Sequence, residues 1–270
     1  MRLPSVFVSH GSPTLALDPG STGPALAALA ASLPRPAAVL VASAHWEAPQ
    51  PRLSAAPQPE TIHDFFGFPQ PLFEIQYPAP GAPAVAARAR ELLAAAGLDA
   101  PLDPQRGLDH GAWVPLRFMY PNADVPVLQV AIQPGLDPAH HHRVGAALAP
   151  LADEGVLILG SGSATHNLRE VRWRSRANED VPAWVQEFRA WLIDALARGD
   201  VEALLAYRAR APHAVRNHPT DEHLLPLYVA LGAAGREPTV DHAHDDVTFG
   251  VLGMDAFVMR PSRSAERLAA

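Results

Sequence analysis

The chain has 270 residues, of which 48% are hydrophobic, and its formal net charge is −7. This balance suits a globular protein with a sizeable core, and the acidic charge disfavours a nucleic-acid binder, which needs a basic surface. Cysteine and lysine are both absent, which excludes disulfides, thiolate nucleophiles, Cys-ligated metals, Schiff bases and the P-loop lysine. Because no signal-like or membrane-spanning apolar segment is visible, we expect a cytoplasmic protein.

The first half of the chain alternates short apolar runs with segments rich in Ala and Leu. Residues 5–9 and 37–44 are predicted strands because they are short, apolar and rich in Val, Leu or Ala. Helices are predicted at 24–32 and 83–96, each with proline in its first turn. The proline-rich stretch 49–80 also holds Phe and Tyr residues, and we predict an ordered loop there.

The second half of the chain continues the same alternation. Strands are predicted at 125–132, 156–159 and 255–259, and helices at 137–151, 182–198, 201–208 and 220–231. Strands that alternate with helices predict an α/β fold. We therefore expect a single domain over residues 1–270, with a central mixed, mostly parallel sheet flanked by helices.

Three histidines lie at or shortly after the carboxyl ends of predicted strands. His10 and His45 follow their strands at once, and His166 follows the strand 156–159 after a short turn. Because ligands bind at this edge of α/β sheets, the pattern favours a shared metal site. A further ligand is expected from the segment around His218 and His223, whereas the competing interpretation makes each strand-end histidine a structural residue.

Other regularities in the sequence have simpler interpretations. The Gly160-Ser161-Gly162-Ser163 turn lacks the third glycine of a dinucleotide loop and matches no serine-nucleophile elbow. Residues 140–142 are consecutive histidines in a predicted helix, and His242 and His244 alternate as on a strand. We interpret these histidines as structural.

Seven short motifs occur along nearly the whole chain. They are His10-Gly11-Ser12-Pro13, Ser43-Ala44-His45-Trp46, Thr61-Ile62-His63-Asp64-Phe65, Tyr77-Pro78-Ala79-Pro80-Gly81, Leu108-Asp109-His110-Gly111-Ala112-Trp113, residues 161–168, and Pro219-Thr220-Asp221-Glu222-His223-Leu224-Leu225-Pro226-Leu227. In this order they resemble the DODA-type extradiol aromatic ring-opening dioxygenases of the LigB-like class III superfamily. Each motif is short, but seven in order make the resemblance specific.

The resemblance implies a non-haem Fe(II) enzyme that opens a catechol-type, 4,5-DOPA-like ring beside its two hydroxyls with O₂. It implies His10, His45 and His223 as metal ligands. The partners implied are therefore a small aromatic diol and O₂, with no nucleic acid and no membrane. The oligomeric state is left open.

The resemblance also implies roles for four residues that do not bind the metal. His166 corresponds to an acid/base histidine and His110 to a histidine beside the substrate, and both are expected to be catalytic. His63 and Tyr77 lie in motifs that border the pocket, and we expect them to bind substrate.

The ligand set leaves alternatives open. The usual facial triad has two histidines and one carboxylate, and Glu222 or His218 could complete it in place of His223. Three histidines also suit Zn²⁺, so zinc could occupy the site, and a zinc-dependent hydrolase is the alternative function. A non-catalytic binding protein is a third possibility. Arg106 or Arg216 could hold a substrate carboxylate, and the competing interpretation places both on the surface.

Overall fold

The buried strands form one sheet at the centre of the molecule. The structure is a computed structural model that describes residues 2–261. Its strands are β1 (Ser5–Ser9), β2 (Ala38–Glu47), β3 (Leu53–Ser54), β4 (Leu102–Asp103), β5 (Val127–Ile132), β6 (Val156–Gly162), β7 (Thr239–His244), β8 (Val247–Thr248), β9 (Leu252–Gly253) and β10 (Ala256–Arg260). All but β8 and β9 join an eight-stranded sheet of order β4-β3-β5-β2-β6-β1-β10-β7.

The middle of this sheet is parallel and its edges are mixed. β5, β2, β6 and β1 run parallel to one another, and β3 pairs parallel with β4. β10 runs antiparallel to β1 and β7, and β3 runs antiparallel to β5. The predicted mixed, mostly parallel sheet in a single α/β domain is therefore confirmed.

Helices cover both faces of the sheet. They are α1 (Thr22–Ser32), α2 (Pro71–Glu74), α3 (Pro83–Ala95), α4 (His110–Met119), α5 (Pro138–Leu148), α6 (Ala183–Ala197), α7 (Val201–Leu205), α8 (Tyr207–Arg210), α9 (Ala214–Asn217) and α10 (Leu225–Ala233). Short 3₁₀ turns lie at Pro13–Ala16, Ala149–Ala152 and Leu168–Glu170. Among the helices of the described residues, none is long and apolar enough to cross a membrane.

The alternation of side chains along β2 shows why the central strands are apolar throughout. Val39 and Val41 pack with α1 and α4, whereas Leu40 and Ala42 pack with α3, α5 and α10 on the opposite face. Because both faces are covered, neither set of alternating positions meets water. Because β1, β2 and β6 are parallel, their carboxyl ends lie at the same edge of the sheet, beside the start of α4.

Several predicted boundaries of strands and helices were wrong. β2 continues past Ala44 to Glu47, so His45 lies within the strand, where its pairing with β5 becomes irregular. The helix predicted at 220–231 begins only at Leu225, after a turn over residues 221–224. The segment 201–208 divides into α7 and α8, and residues 262–270 of the predicted single domain lie outside the described residues.

Candidate metal and catalytic site

Four histidine rings meet at the carboxyl edge of the parallel strands. The ring centres of His10 and His45 lie 4.9 Å apart, and His223 lies 5.4 Å from His10 and 5.0 Å from His45. His110, in the first turn of α4, lies 3.8 Å from His45. His10, His110 and His223 are buried, and His45 is half-buried.

His166 joins the group by stacking on His223. The two ring centres are 3.4 Å apart and the planes differ by 11°. The backbone N–H of His166 donates to the carbonyl of Asn217 at 3.0 Å, which fixes the loop that follows β6. The structure thus brings together the five histidines that the resemblance selected for metal binding and catalysis.

A glycine in β6 allows His223 to reach this edge from a distant part of the chain. A Cβ atom on Gly162 would lie only 2.0 Å from the carbonyl oxygen of His223, so no other residue fits without moving that backbone. The same carbonyl accepts a hydrogen bond from the N–H of Ser163 at 2.8 Å. Gly160 and Gly162, which the sequence pattern assigned to a turn, therefore lie in β6 and allow the backbone at Pro226 and His223 to approach the strand closely.

Hydrogen bonds at Nδ1 determine which ring nitrogen of each histidine is available. The hydroxyl of Ser161 donates to the carbonyl of Gly111, so it must accept a hydrogen bond from Nδ1–H of His10 at 3.0 Å. The Nδ1 atom of His223 donates to Glu222 at 3.0 Å. Because these Nδ1 atoms carry the protons, the Nε2 atoms carry the lone pairs.

Asp64 acts in the same way on the other side of the site. Nδ1 of His110 donates to Asp64 at 3.0 Å, and Nδ1 of His45 lies 3.6 Å from the same carboxylate oxygen. Burial opposes ionisation of Asp64, but the hydrogen bonds from His110 outweigh it and lower the pKa of Asp64 to about 2. The carboxylate is therefore ionised at neutral pH and attracts the ring protons towards itself.

The site histidines are held in their neutral form. Burial, together with repulsion between the rings, lowers the pKa of His10 and His223 well below the ordinary value. Burial and His110 lower the pKa of His45 to about 4, and burial followed by His218 lowers the pKa of His166 to about 3. Neutral imidazoles offer lone pairs, which is the form that a metal cation binds.

The donor set fits a divalent metal ion. Nε2 of His10 and Nε2 of His45 are 3.0 Å apart, so either His45 donates a hydrogen bond to His10 or both nitrogens present lone pairs to a cation between them. Two imidazoles bound to one ion at about 2.1 Å have ring centres about 4.5 to 5.3 Å apart. The His10–His45 and His45–His223 distances fall within this range and the His10–His223 distance of 5.4 Å lies just above it, whereas His45 and His110 are too close at 3.8 Å.

A second measure groups the histidines differently. The candidate donor atoms of His10, His45 and His110 lie within 4.8 Å of one another, and so do those of His166, Glu222 and His223. The rings of His45 and His110 are closer, at 3.8 Å, than those of two ligands of one ion. Glu222 accepts the Nδ1 proton of His223, so its carboxylate orients that ring.

His218 lies outside the group of site histidines. It is fully buried against Phe188 and Tyr207, and its Nε2 donates to the carbonyl of Ala164 at 2.9 Å. Its side chain is absent from the lining of the histidine pocket. Of the two histidines that the sequence left open, the structure places His223, and not His218, beside His10 and His45.

The two residues expected to bind substrate lie behind the pocket wall. Nε2 of His63 donates to the carbonyl of Ile75 at 2.9 Å, and the ring packs against Phe65 and Trp113. Tyr77 is buried, donates to the carbonyl of Tyr120, and lines a different cavity. Neither lines the histidine pocket, and the role of His63 and Tyr77 in substrate binding stays a prediction.

The two arginines considered for substrate binding are also engaged elsewhere. Arg106 donates to Asp109 at 2.7 Å and lies over the ring of Trp46. Arg216 pairs with Glu170 and lies over Trp184. Neither guanidinium lines the histidine pocket, so the surface or structural interpretation holds for both.

Sequence reasoning assigned no role to Asp109, although it supports the site. Its buried carboxylate accepts hydrogen bonds from Ser43 at 2.6 Å, from Gln129 at 2.6 Å and from Arg106 at 2.7 Å. The Ser43 hydroxyl in turn accepts the backbone N–H of His45 at 3.2 Å. The sequence likewise predicts no role for Asp64 and Ser161 individually, because their hydrogen-bond partners are far away in sequence.

An α/β sheet with histidines at the carboxyl edge of its parallel strands defines a metalloenzyme-like site, and the comparisons with known proteins give its class. The family model "Catalytic LigB subunit of aromatic ring-opening dioxygenase" matches residues 5–257. The chain therefore belongs to the LigB family of aromatic ring-opening dioxygenases, whose members are metal-dependent.

Its relatives narrow this class to the extradiol enzymes. A 4,5-DOPA dioxygenase extradiol of Beta vulgaris is 42% identical over 93% of this chain and 94% of its own length. The protein of the same name from Escherichia coli K12 is 41% identical over 94% and 93%. A crystal structure of an uncharacterized Escherichia coli K12 protein matches with a TM-score of 0.78 and 32% identity, covering 95% of this chain and 99% of that one. The chain is an extradiol ring-cleaving dioxygenase, as the motifs indicated.

Proposed function

We propose that this dioxygenase opens a catechol ring beside its two hydroxyls at an Fe(II) ion held by His10, His45 and His223. The observation that carries the proposal is the spacing of these three neutral rings, 4.9 to 5.4 Å between centres. Zn²⁺ suits the same ligands, and we propose that it competes with iron for the site. Bound Fe(II) would supply the electrons that activate O₂ and a positive charge that attracts the catechol oxygens.

The proposed proton acceptor is His166. Its neutral ring borders the pocket, so a nitrogen is available to accept a hydrogen bond, and then a proton, from a catechol hydroxyl whose acidity a bound metal would raise. Stacking on His223 holds the ring beside the proposed ligand set. We expect His166→Ala to abolish turnover and to spare metal binding.

The second proposed catalytic residue is His110. Its Nδ1–H donates to Asp64, which leaves the lone pair on Nε2. Nε2 can therefore accept a hydrogen bond from a hydroxyl of the substrate. His110 therefore positions and stabilises the reacting oxygens in our proposal and does not bind the metal.

The third ligand can be tested by metal content. We expect His223→Ala to lower the amount of iron or zinc retained after dialysis and His110→Ala to leave it near one ion per chain. The control is His213→Ala, which removes an exposed histidine paired with Glu187. Metal loss in His110→Ala with retention in His223→Ala would replace His223 by His110 in the ligand set.

The reaction itself is tested by loading the protein with Fe(II) under anaerobic conditions and then adding O₂ with a catechol panel. We expect O₂ uptake and a yellow ring-opened product. Relatives are named for 4,5-DOPA, so DOPA belongs in the panel as a candidate substrate. Firm iron binding without ring opening of any catechol would contradict the proposal.

Two further expectations accompany the proposed reaction. The working compartment is the cytoplasm, which cell fractionation tests, and the partners are the aromatic diol and O₂ without nucleic acid. The zinc hydrolase is the weaker alternative because the relatives are dioxygenases. Metal-dependent hydrolysis that persists without O₂ would revive it.

A further inference from the structure

Large apolar side chains are exposed mainly around one part of the molecule. The described residues expose six of them: Leu17, Phe66, Leu136, Leu168, Trp173 and Val215. Phe66, Leu168 and Trp173 line the histidine pocket, and Leu17 and Trp173 line the neighbouring groove. Four of the six therefore surround two adjoining cavities, where a ligand could cover them.

The two cavities share walls. The histidine pocket has a volume of about 260 Å³ and the groove about 660 Å³. Ser12 and Trp173 line both, and Trp173 packs on Phe249 with ring centres 5.1 Å apart. A catechol ring held at the histidines would thus lie next to the groove.

The charges in these walls disfavour an anion. The lining of the histidine pocket contains no arginine and one carboxylate, Asp64. The groove contains Asp18 and Asp246 against a single arginine, Arg176. The groove wall also includes Leu15, Leu17 and Met254, which suits an apolar group.

We infer that the groove is the subsite for an apolar substituent on the catechol ring, and that Trp173 and Leu17 determine this specificity. The inference rests on the proposed function, since it assumes that the catechol ring lies at the histidines. The inference predicts an order of substrates. A catechol with a bulky apolar group opposite its hydroxyls is preferred over unsubstituted catechol, and also over a catechol with a carboxylate-bearing chain such as that of DOPA.

Binding provides the first test because it needs no turnover. The zinc-loaded protein is titrated calorimetrically with catechol, 4-tert-butylcatechol and 3,4-dihydroxyphenylacetate. We expect 4-tert-butylcatechol to bind roughly tenfold more tightly than catechol, and the carboxylate to bind more weakly than either. Equal affinities, or tighter binding of the carboxylate, would overturn the inference.

Matched leucines provide the variant test. Leu17 and Leu136 are both 44% exposed, but only Leu17 lines the groove. We expect Leu17→Ala and Trp173→Ala to lower the preference for 4-tert-butylcatechol over catechol several-fold, in zinc-protein affinity and in kcat/KM of the iron enzyme. Leu136→Ala should leave the preference unchanged. An equal effect of both leucine variants would place the substituent elsewhere, whereas absence of ring opening with every catechol would contradict the proposed function instead.

Discussion

Two rings in the proposed ligand set donate through Nδ1 to a neighbouring acceptor. His10 donates to Ser161 and His223 to Glu222, whereas Asp64 lies 3.6 Å from Nδ1 of His45, too far for a hydrogen bond. Such partners fix the tautomer and the direction of the ring before a metal arrives. They remove the entropy cost that freely rotating imidazoles would add to metal binding.

This role of Ser161 leads to a prediction for Ser161→Ala. The Nδ1–H of His10 loses its acceptor, so the tautomer with its lone pair on Nε2 is no longer favoured. We expect metal affinity to fall by about 10- to 100-fold, measured by competition with a coloured chelator. The control is Ser5→Ala on the same sheet, where a buried serine donates to the carbonyl of Ala230. Unchanged affinity in Ser161→Ala would remove the serine from this role.

Single residues also mark the limit of what the sequence could reveal. His10 and His45 could be predicted because a histidine directly after an apolar strand must lie at the carboxyl edge. His223 could be chosen over His218 only through the resemblance, since Pro226 obscures where the helix begins. The contacts of Asp64 and Ser161 depend on segments 46 and 50 residues away, which no local pattern encodes.

At the scale of elements, the start of α4 supports the end of β2 that carries His45. Asp109 is the N-cap of α4, and it accepts the N–H of Ala112 while it also binds Ser43 and Arg106. The carboxylate is fully buried. One residue thus caps a helix, neutralises an arginine and holds the strand that carries His45.

α4 and α5 allow the capping role of Asp109 to be separated from its buried contacts. Asp137 caps α5 with nearly the same backbone angles and accepts the N–H of His140. We expect Asp137→Ala to cost about 1 kcal/mol of unfolding free energy and Asp109→Ala about 3–5 kcal/mol, because it leaves Arg106 without its buried partner. Urea denaturation measures both. Equal losses would show that Asp109 acts only as a cap.

Element types were more predictable than element lengths. The long apolar strands and amphipathic helices were recognisable because their patterns extend over several turns or alternations. β3 and β4 have two residues each, too few for any periodicity, and they pair only because neighbouring strands present a free edge. The division of 201–208 at Ala206 likewise reflects tertiary packing.

At the scale of the whole molecule, buried neutral histidines make stability depend on pH. His141 is buried in α5, its Nε2 accepts the N–H of Gln133, and its Nδ1 donates to the carbonyl of Asp137. Burial lowers the pKa of His141 to about 4, and burial also lowers the pKa of His218 to about 4. Both folded-state pKa values lie below the unfolded value of about 6.5.

The sign of this effect follows from proton uptake. Below pH about 6.5 the unfolded chain binds protons that the folded chain refuses, so the free energy of unfolding falls as pH decreases towards 4. Each such histidine contributes up to about 1.4 kcal/mol per pH unit. We expect His141→Gln to make the slope between pH 6.5 and 5 shallower by up to that amount in urea unfolding. An unchanged slope in His141→Gln would contradict the assignment.

The position of β1 in the sheet has a consequence for the order of events during synthesis. β1 pairs with β6 on one side and with β10, residues 256–260, on the other. The strand that precedes His10 is therefore synthesised well before both of its neighbours, and its β10 edge stays unpaired until residues 256–260 follow. At the usual rate of translation this wait lasts on the order of tens of seconds. Any ion that His10 shares with His223 is thus bound only after most of the sheet has been synthesised.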